Sequence, residues 1–285
     1  MTNIKIIVCC HKKDICYNKE PYFPIQVGKA NANVNLGIQG DDTGDNISIK
    51  NTSYCELTGM YWAWKNLKGV DYIGLCHYRR YFDFHNQCQK LIPTTEFCSD
   101  SMGTLDFSVP ESYLEKIKKG KIIVPAQLHY PQTLMQDYMR NHVSDDFRVL
   151  SKIMDETQSE AIKRSFDKVV KNGNKLIRFN MFLMSWTDFD AYCTWIFDLL
   201  KKVEDNTDIS NYNSVQRRIY GYMSERLFNV WIDAYHPNKV ELPVMFFVDN
   251  PRRKRNSVLW KMREFIWDSV NKINHLSRSL SNGKD

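Results

Sequence analysis

The densest group of chemically capable side chains follows one short apolar segment. Residues 72–76 read Tyr-Ile-Gly-Leu-Cys, which is typical of a buried strand. The residues directly after this segment are His77, Tyr78, Arg79, Arg80 and Tyr81. Strands of α/β proteins point their carboxyl ends at the ligand crevice, and guanidinium groups suit bidentate contacts to phosphate. The pattern predicts a site for an anionic ligand, and the alternative is an edge strand protected by charges.

A second, acidic group precedes this strand. Residues 41–46 read Asp-Asp-Thr-Gly-Asp-Asn, within a long Gly- and Asn-rich connection over residues 14–50. Carboxylate oxygens, here those of Asp41, Asp42 and Asp45, are ligands that Mg²⁺ or Mn²⁺ takes. They are also typical of turns, where short polar side chains bond to their own backbone. Because long connections in compact domains are often functional, we expect an ordered loop.

Two single residues are further candidates. Asn180 lies within an apolar segment over residues 176–184, where a buried amide needs hydrogen-bond partners, so it indicates either a structural network or a contact to a sugar hydroxyl. Glu225 lies near the start of a helix predicted over residues 221–235. The helix dipole alone would favour a carboxylate there, and a general base is the alternative.

The elements that must position these candidate residues are strands and helices, which alternate along the chain. Strands are predicted over residues 4–10, 72–76, 121–125 and 176–184. Helices are predicted over residues 54–66, 110–118, 131–170, 187–203 and 221–235, with Ser53 and Glu56 spaced as a capping box at the first of them. This alternation predicts an α/β fold with a mainly parallel sheet covered by helices on both faces.

Charge and cysteine usage restrict the class of protein. The net charge is +6, and residues 251–285 alone hold nine Lys and Arg against three Asp and Glu, so residues 1–250 are neutral. A neutral body argues against a general nucleic-acid-binding face. The eight cysteines show neither a Cys-x-x-Cys pair nor a zinc spacing. Met1 leads directly into a strand rather than into a signal peptide, so we expect a cytoplasmic protein with free thiols.

The C-terminal segment is distinct from the body. Residues 252–255 read Arg-Arg-Lys-Arg, and apolar residues then recur at helical spacing between Val258 and Ile273. A basic amphipathic helix with Trp260 and Trp267 is typical of a helix in a membrane interface. We therefore predict that residues 252–273 contact an anionic membrane surface, and a helix docked on the body is the alternative.

Three sequence blocks together resemble one known family. These blocks are Asp42-Thr-Gly-Asp-Asn-Ile-Ser48, Tyr54-Cys-Glu-Leu-Thr-Gly-Met-Tyr-Trp-Ala-Trp-Lys-Asn66 and Asp71-Tyr-Ile-Gly-Leu-Cys-His-Tyr-Arg-Arg-Tyr-Phe82. Residues 179–184 and 221–227 resemble its later blocks. The family is that of bacterial capsular and exopolysaccharide glycosyltransferases long catalogued as a domain of unknown function, and the match extends from about residue 4 to about residue 250.

The resemblance implies a GT-A-like glycosyltransferase domain over residues 1–250, followed by the basic amphipathic helix of residues 251–285. It implies transfer of a galactosyl or galactofuranosyl unit from a UDP-sugar, with inversion, in capsular, exopolysaccharide or O-antigen synthesis. We expect a lipid-linked saccharide acceptor, and therefore a peripheral protein at the inner face of the cell membrane. No nucleic-acid partner is expected.

The resemblance also suggests a role for each candidate residue. Cys10, His11 and the loop of Asp41, Asp42, Asp45 and Asn46 would hold the nucleoside, and Arg79 and Arg80 the diphosphate. His77 and Tyr78 would also belong to the donor site. Asn180 would contact the sugars, and Glu225 would be the catalytic base. Ordinary GT-A enzymes use a metal on an Asp-x-Asp motif, which is missing here, so we expect no metal. If Mn²⁺ or Mg²⁺ is used, its ligands would be Asp41, Asp42 and Asp45.

Two other functions remain open at this point. The first is a non-catalytic sugar-nucleotide-binding protein with the same fold, which activity towards a UDP-sugar would distinguish. The second is a nucleic-acid-binding module that uses Arg79, Arg80 and the basic C-terminal segment, and it would show a salt-dependent affinity for generic RNA or DNA.

Overall fold

The computed structural model describes residues 2–252 and 257–281, with side chains up to residue 274. Over these residues the strands are β1 (Ile4–Cys10), β2 (Tyr22–Gln26), β3 (Gln39–Gly40), β4 (Tyr72–His77), β5 (Arg80–Phe82), β6 (Thr94–Cys98), β7 (Ile123–Pro125), β8 (Leu128–His129), β9 (Lys175–Leu176), β10 (Phe182–Ser185), β11 (Val240–Leu242) and β12 (Val244–Val248).

The α-helices over the same residues are α1 (Asn51–Tyr54), α2 (Leu57–Asn66), α3 (Glu111–Lys118), α4 (Leu134–Asn141), α5 (Ser144–Thr157), α6 (Glu160–Phe166), α7 (Trp186–Glu204), α8 (Ile219–Tyr235) and α9 (Ser257–Ser281). Short 3₁₀-helices cover Lys29–Asn31, Ser48–Lys50, Ser99–Thr104 and Gln216–Arg218, and a π-helix covers Asp167–Lys171. No helix in these two ranges is long and apolar enough to cross a membrane.

The central sheet confirms the predicted α/β class. Its strand order is β11-β7-β10-β4-β1-β2-β3, and β1, β2, β3 and β4 are paired in parallel. β10 runs antiparallel between β4 and β7, and β12 joins β5 and β6 to the same sheet. The carboxyl ends of β1 and β4 lie side by side, because Cys9 is in register with His77.

Two apolar cores cover the two faces of this sheet. Side chains alternate along β1: Ile7 and Cys9 belong to one core, whereas Ile6, Val8 and Cys10 belong to the other. This alternation follows from the two-residue period of a strand. The first core is built with α2, α7 and α8, and it supports the face on which the candidate site lies.

The region predicted as a long loop contains part of the sheet. β2 lies inside residues 14–50 and pairs in parallel with residues 6–10 of β1. Pro24 occupies the middle of β2, opposite Val8, and a proline within a short apolar segment argues against a strand. The prediction of continuous loop was therefore wrong here, because pairing with β1 outweighs the local signal.

Two other predicted elements are interrupted in the structure. The helix predicted over residues 54–66 is divided into α1 and α2 by Cys55, whose φ of 52° ends the first helix. The predicted capping box is also wrong, since Glu56 occupies the N-cap position of α2 and Ser53 donates to Lys50 O instead. Residues 176–184 are not one strand, because β9 and β10 are separated by a turn around Phe179.

Candidate active site

A cavity of about 940 Å³ opens at the carboxyl ends of β1 and β4. This is the edge of a parallel sheet at which α/β proteins bind their ligands. Its lining combines cations, carboxylates and aromatic rings from six separate parts of the chain. The lining residues are Cys9, His11, Val27, Asn51, Thr52, Cys55, Glu56, His77, Tyr78, Arg80, Phe179, Tyr212, Ser214, Arg217, Arg218 and Glu225.

The two adjacent arginines after β4 lie in different environments. Arg80 lines the cavity, and its guanidinium lies between the rings of Phe179 and Phe246, at 4.7 and 4.8 Å from their centroids. Burial lowers the pKa of Arg80, while the nearby carboxylates of Glu56 and Glu225 act in the opposite direction. The Nε atom of Arg80 is buried without a hydrogen-bond partner among the described residues. The cavity thus contains the fixed guanidinium of Arg80, whose Nε–H can still donate a hydrogen bond to a ligand.

Arg79 lies outside the cavity and is already paired. Its Nε and Nη2 atoms donate to Asp14 Oδ1 at 3.0 and 2.9 Å, and Nη2 also reaches Asp249 Oδ1 at 3.1 Å. These contacts raise the pKa of the Arg79 guanidinium and connect the segment after β1 to the end of β12. Arg79 lies in the turn between β4 and β5, whereas Arg80 is the first residue of β5, and only Arg80 faces the cavity.

Two further cations come from a part of the chain that the sequence patterns did not single out. Arg217 and Arg218 belong to the 3₁₀-helix that precedes α8, and both line the cavity. Arg217 donates to the carbonyl oxygens of Tyr212 and Ser210, and Arg218 donates from Nε to Cys55 Sγ at 3.4 Å. In the sequence, this second Arg-Arg pair directly before a helix could have indicated that these residues bind an anionic ligand.

Two carboxylates of the cavity are largely withdrawn from solvent. Glu225 Oε1 accepts a hydrogen bond from Phe179 N at 2.7 Å, and Glu56 Oε1 accepts one from Asn180 Nδ2 at 2.7 Å. Burial raises the pKa of both carboxyl groups, and the charge of Glu56 raises that of Glu225 further. A carboxylate with a raised pKa is suited to accept a proton near neutral pH. Sequence reasoning considered Glu56 only as a helix cap.

The position of Glu225 in α8 makes the helix dipole an insufficient explanation for it. α8 begins at Ile219 rather than at the predicted residue 221, so Glu225 is in the second turn, and the first turn contains no acidic residue. The dipole effect is confined to the first turn of a helix. What fixes Glu225 is instead the backbone N–H of Phe179 on the opposite wall.

Asn180 supports the cavity from behind rather than lining it. Its Nδ2 donates to Glu56 Oε1 and, at 2.9 Å, to Ser224 Oγ. Phe179 and Asn180 have φ values of 76° and 51°, a left-handed conformation that asparagine tolerates but that is strained for the bulky Phe179. Such strain tends to occur at functional sites, where the surrounding contacts enforce it. Here it places the Phe179 N–H against Glu225 and the Phe179 carbonyl against His77.

Two imidazoles at the strand ends are neutral at ordinary pH. His77 Nε2 lies 2.7 Å from Phe179 O, so this nitrogen carries the proton and donates. Burial, with the nearby Arg80 charge, lowers the pKa of His77 to about 3. Burial also lowers the pKa of His11, whose ring meets that of Tyr78 edge-on at 5.2 Å. The positive charge of the cavity is therefore that of its arginines.

The acidic loop is ordered, but its residues do not line the cavity. Asp41 is fully buried and accepts hydrogen bonds from Gly28 N, Lys29 N and Ser48 Oγ, while Asp45 accepts one from Tyr61 Oη. Asp41 thus positions the chain after β2, which contributes Val27 to the cavity wall. Within residues 2–252 and 257–281, no group of three or more His, Cys, Asp or Glu is arranged to hold a metal ion.

The cavity therefore brings together five of the residues predicted from the sequence and leaves seven outside. Those that line it are His11, His77, Tyr78, Arg80 and Glu225. Those that do not line it are Cys10, Asp41, Asp42, Asp45, Asn46, Arg79 and Asn180. Cys10 points into the opposite core because the side chains of β1 alternate, and it is Cys9 that reaches the cavity.

The chain has recognisable relatives. The family model described as a domain of unknown function, DUF4422, matches residues 5–237. This range includes every residue that lines the cavity. The chain belongs to the DUF4422 family. No curated protein matches it. Among solved structures, the DUF4422 chain is similar to the apo structure of WbbM, a bifunctional glycosyltransferase, with a TM-score of 0.74 and 28% sequence identity. The similarity covers 88% of this chain and 46% of the WbbM chain, so the protein spans less than half of the length of that relative.

Proposed function

We propose that this protein is an inverting glycosyltransferase that moves a galactosyl or galactofuranosyl unit from a UDP-sugar to a lipid-linked saccharide. The observation that carries the proposal is the cavity itself, which combines three arginines with two half-buried carboxylates at the carboxyl ends of β1 and β4. The similarity to a glycosyltransferase structure over 88% of the chain supports the reaction class. The resemblance of the sequence blocks supports the UDP-sugar and a role in capsular, exopolysaccharide or O-antigen synthesis.

In this proposal the arginines stabilise the leaving group. Cleavage of the bond between C1 of the sugar and the diphosphate oxygen leaves an additional negative charge on UDP. Arg80, Arg217 and Arg218 would neutralise this charge from fixed positions, and such preorganised charge is usually the largest contribution to catalysis. The rings of Phe179 and Phe246 hold Arg80 in place before the donor binds.

Glu225 is the proposed general base. The acceptor hydroxyl attacks C1 from the face opposite the diphosphate, the new O–C1 bond forms as the C1–O bond to UDP breaks, and the hydroxyl proton passes to Glu225. The hydrogen bond from Phe179 N occupies Oε1 and orients the carboxylate, which leaves Oε2 for the proton. Burial, together with the charge of Glu56, keeps the pKa of Glu225 raised. Glu56 is itself held by Asn180, so Asn180 acts through Glu56.

A donor screen tests this function. Purified protein would be incubated with UDP-galactose, UDP-galactofuranose, UDP-glucose and UDP-N-acetylglucosamine, each with synthetic alkyl-diphosphate-linked mono- and disaccharides, and UDP release would be measured. We expect acceptor-dependent release from one galactose-type donor, and NMR of the product should show an inverted anomeric centre.

Three results would contradict parts of the proposal. Binding of UDP-sugars without release in the presence of any acceptor would indicate a non-catalytic binding protein. Release with retained configuration would assign a different role to the two carboxylates. A chain that binds neither UDP nor any UDP-sugar would remove the donor site from the cavity altogether.

A further inference from the structure

Helix α9 is docked on the body through its polar and aromatic side. Trp260 and Glu264 are buried, Asn271 Nδ2 donates to Asn172 O at 3.0 Å, and Asn174 Nδ2 donates to Trp267 O. Asp268 forms an ion pair with Lys175 of β9 at 3.4 Å. The docked side thus consists of residues 260, 264, 267, 268 and 271, one or two in each successive turn.

The opposite side of α9 is apolar and exposed. Its side chains are between 41% and 74% exposed, and they are Val258, Leu259, Met262, Phe265, Ile266, Val270 and Ile273. At about 100° per residue these positions fall within an arc of roughly 140°, so they form one continuous stripe, called here the outer stripe. Large exposed apolar side chains elsewhere in the described residues are scattered singly. A contiguous apolar stripe of this kind marks an interaction surface.

The acidic and basic side chains of α9 lie on different sides of the helix. Within residues 257–274 both carboxylates are turned away from the outer stripe: Glu264 is buried and Asp268 is paired with Lys175. Lys261 and Lys272 remain exposed along one border of the stripe, and Arg263 follows the other border, stacked on Trp260 and Trp267. Arg252, just before the helix, is also exposed. The charged groups nearest the stripe are thus cations, of which Lys261 and Lys272 also contact Glu264 and Asp268 at 3.5 Å.

We propose that the outer stripe binds the surface of an anionic lipid bilayer, with α9 lying parallel to that surface. Apolar side chains enter the boundary between headgroups and acyl chains, and the bordering lysines meet anionic headgroups. A second copy of this chain fits the stripe less well, because it would bring the same cations against each other. The inference adds a location to the proposed function, since it would bring the cavity to the membrane that carries a lipid-linked acceptor. The basic residues 253–255 lie outside the described residues and are not needed for the argument.

Vesicle flotation with the full chain tests this inference. The probes are vesicles of phosphatidylcholine alone and vesicles that also contain phosphatidylglycerol. We expect binding to the anionic vesicles only, and a decrease as salt rises. The variant Phe265→Ser/Ile266→Ser changes two exposed residues and should weaken binding at least tenfold. Lys261→Gln and Lys272→Gln should each weaken it about fivefold.

The control is Val34→Ser, which removes an apolar side chain that is 57% exposed and far from α9 in sequence, and it should leave binding unchanged. Failure of the wild-type chain to bind anionic vesicles, or unchanged binding by Phe265→Ser/Ile266→Ser, would overturn the inference. The inference would also be overturned if light scattering showed that the wild-type chain is a dimer and that Phe265→Ser/Ile266→Ser dissociates it. Because the assay needs neither donor nor acceptor, its failure is separate from a failure of the proposed transferase.

Discussion

The adjacent residues Arg79 and Arg80 offer a matched test of the candidate donor site. Both follow β4, both are partly buried, and only Arg80 faces the cavity. The changes are Arg80→Lys and Arg79→Lys, which keep the positive charge and remove the planar guanidinium fork. A lysine at position 80 would lose bidentate geometry towards phosphate and much of the stacking on Phe179 and Phe246.

The expected size of the effect follows from the contacts of each arginine. A hydrogen bond to a charged group contributes about 1.5–3 kcal/mol, and each 1.4 kcal/mol is a factor of ten, so Arg80→Lys should weaken UDP binding by about 10- to 150-fold. Arg79 donates to Asp14 and Asp249 rather than into the cavity. Its replacement should therefore change the Kd for UDP by less than about threefold, which is below 1 kcal/mol.

Isothermal titration of UDP into the wild type and both variants measures the difference, and thermal melts establish that all three are folded. Unchanged affinity in Arg80→Lys would show that the phosphate groups do not reach this arginine. An equal loss in both variants would show that the reasoning from side-chain direction is mistaken, because the two guanidinium groups would then act on the same ligand.

Further predictions concern the carboxylates and metal dependence. Glu225→Gln should lower turnover by about 10²–10⁴-fold with little change in the Kd for UDP, as expected for a general base, and a loss of affinity without a loss of rate would contradict this role. Because burial raises the folded-state pKa of Glu225, the native state loses stability as pH rises from the unfolded carboxyl range through that raised value. The melting temperature of Glu225→Gln should therefore increase relative to wild type between pH 4 and pH 8, and a constant or shrinking difference in calorimetry would disprove the burial argument. Transferase activity should survive EDTA, because Arg80, Arg217 and Arg218 already supply positive charge; complete loss that Mn²⁺ restores would show a metal site.

The sequence by itself determined the elements that carry the site. The apolar runs of β1 and β4 are long enough to be recognised, and the change from apolar to cationic residues after Cys76 locates the ligand-binding edge of the sheet. Helix α7 was predicted within one residue at each end, because its apolar spacing is regular over five turns. These features depend on residues that are close in sequence, where periodicity and composition are sufficient.

Only the tertiary structure decided which side chains meet. Glu56 and Asn180 are 124 residues apart and form one hydrogen bond. Arg217 reaches a cavity that also includes residues from the ends of β1 and β4. β2 became a strand only because β1 supplied a partner for a segment that contains Pro24. Helix α9 is the clearest case. The spacing of its apolar residues defines a stripe, but a stripe on a helix is equally compatible with facing the core. It faces outwards here because Trp267, Asp268 and Asn271 have specific partners on the body, and those contacts fix the rotation of the helix.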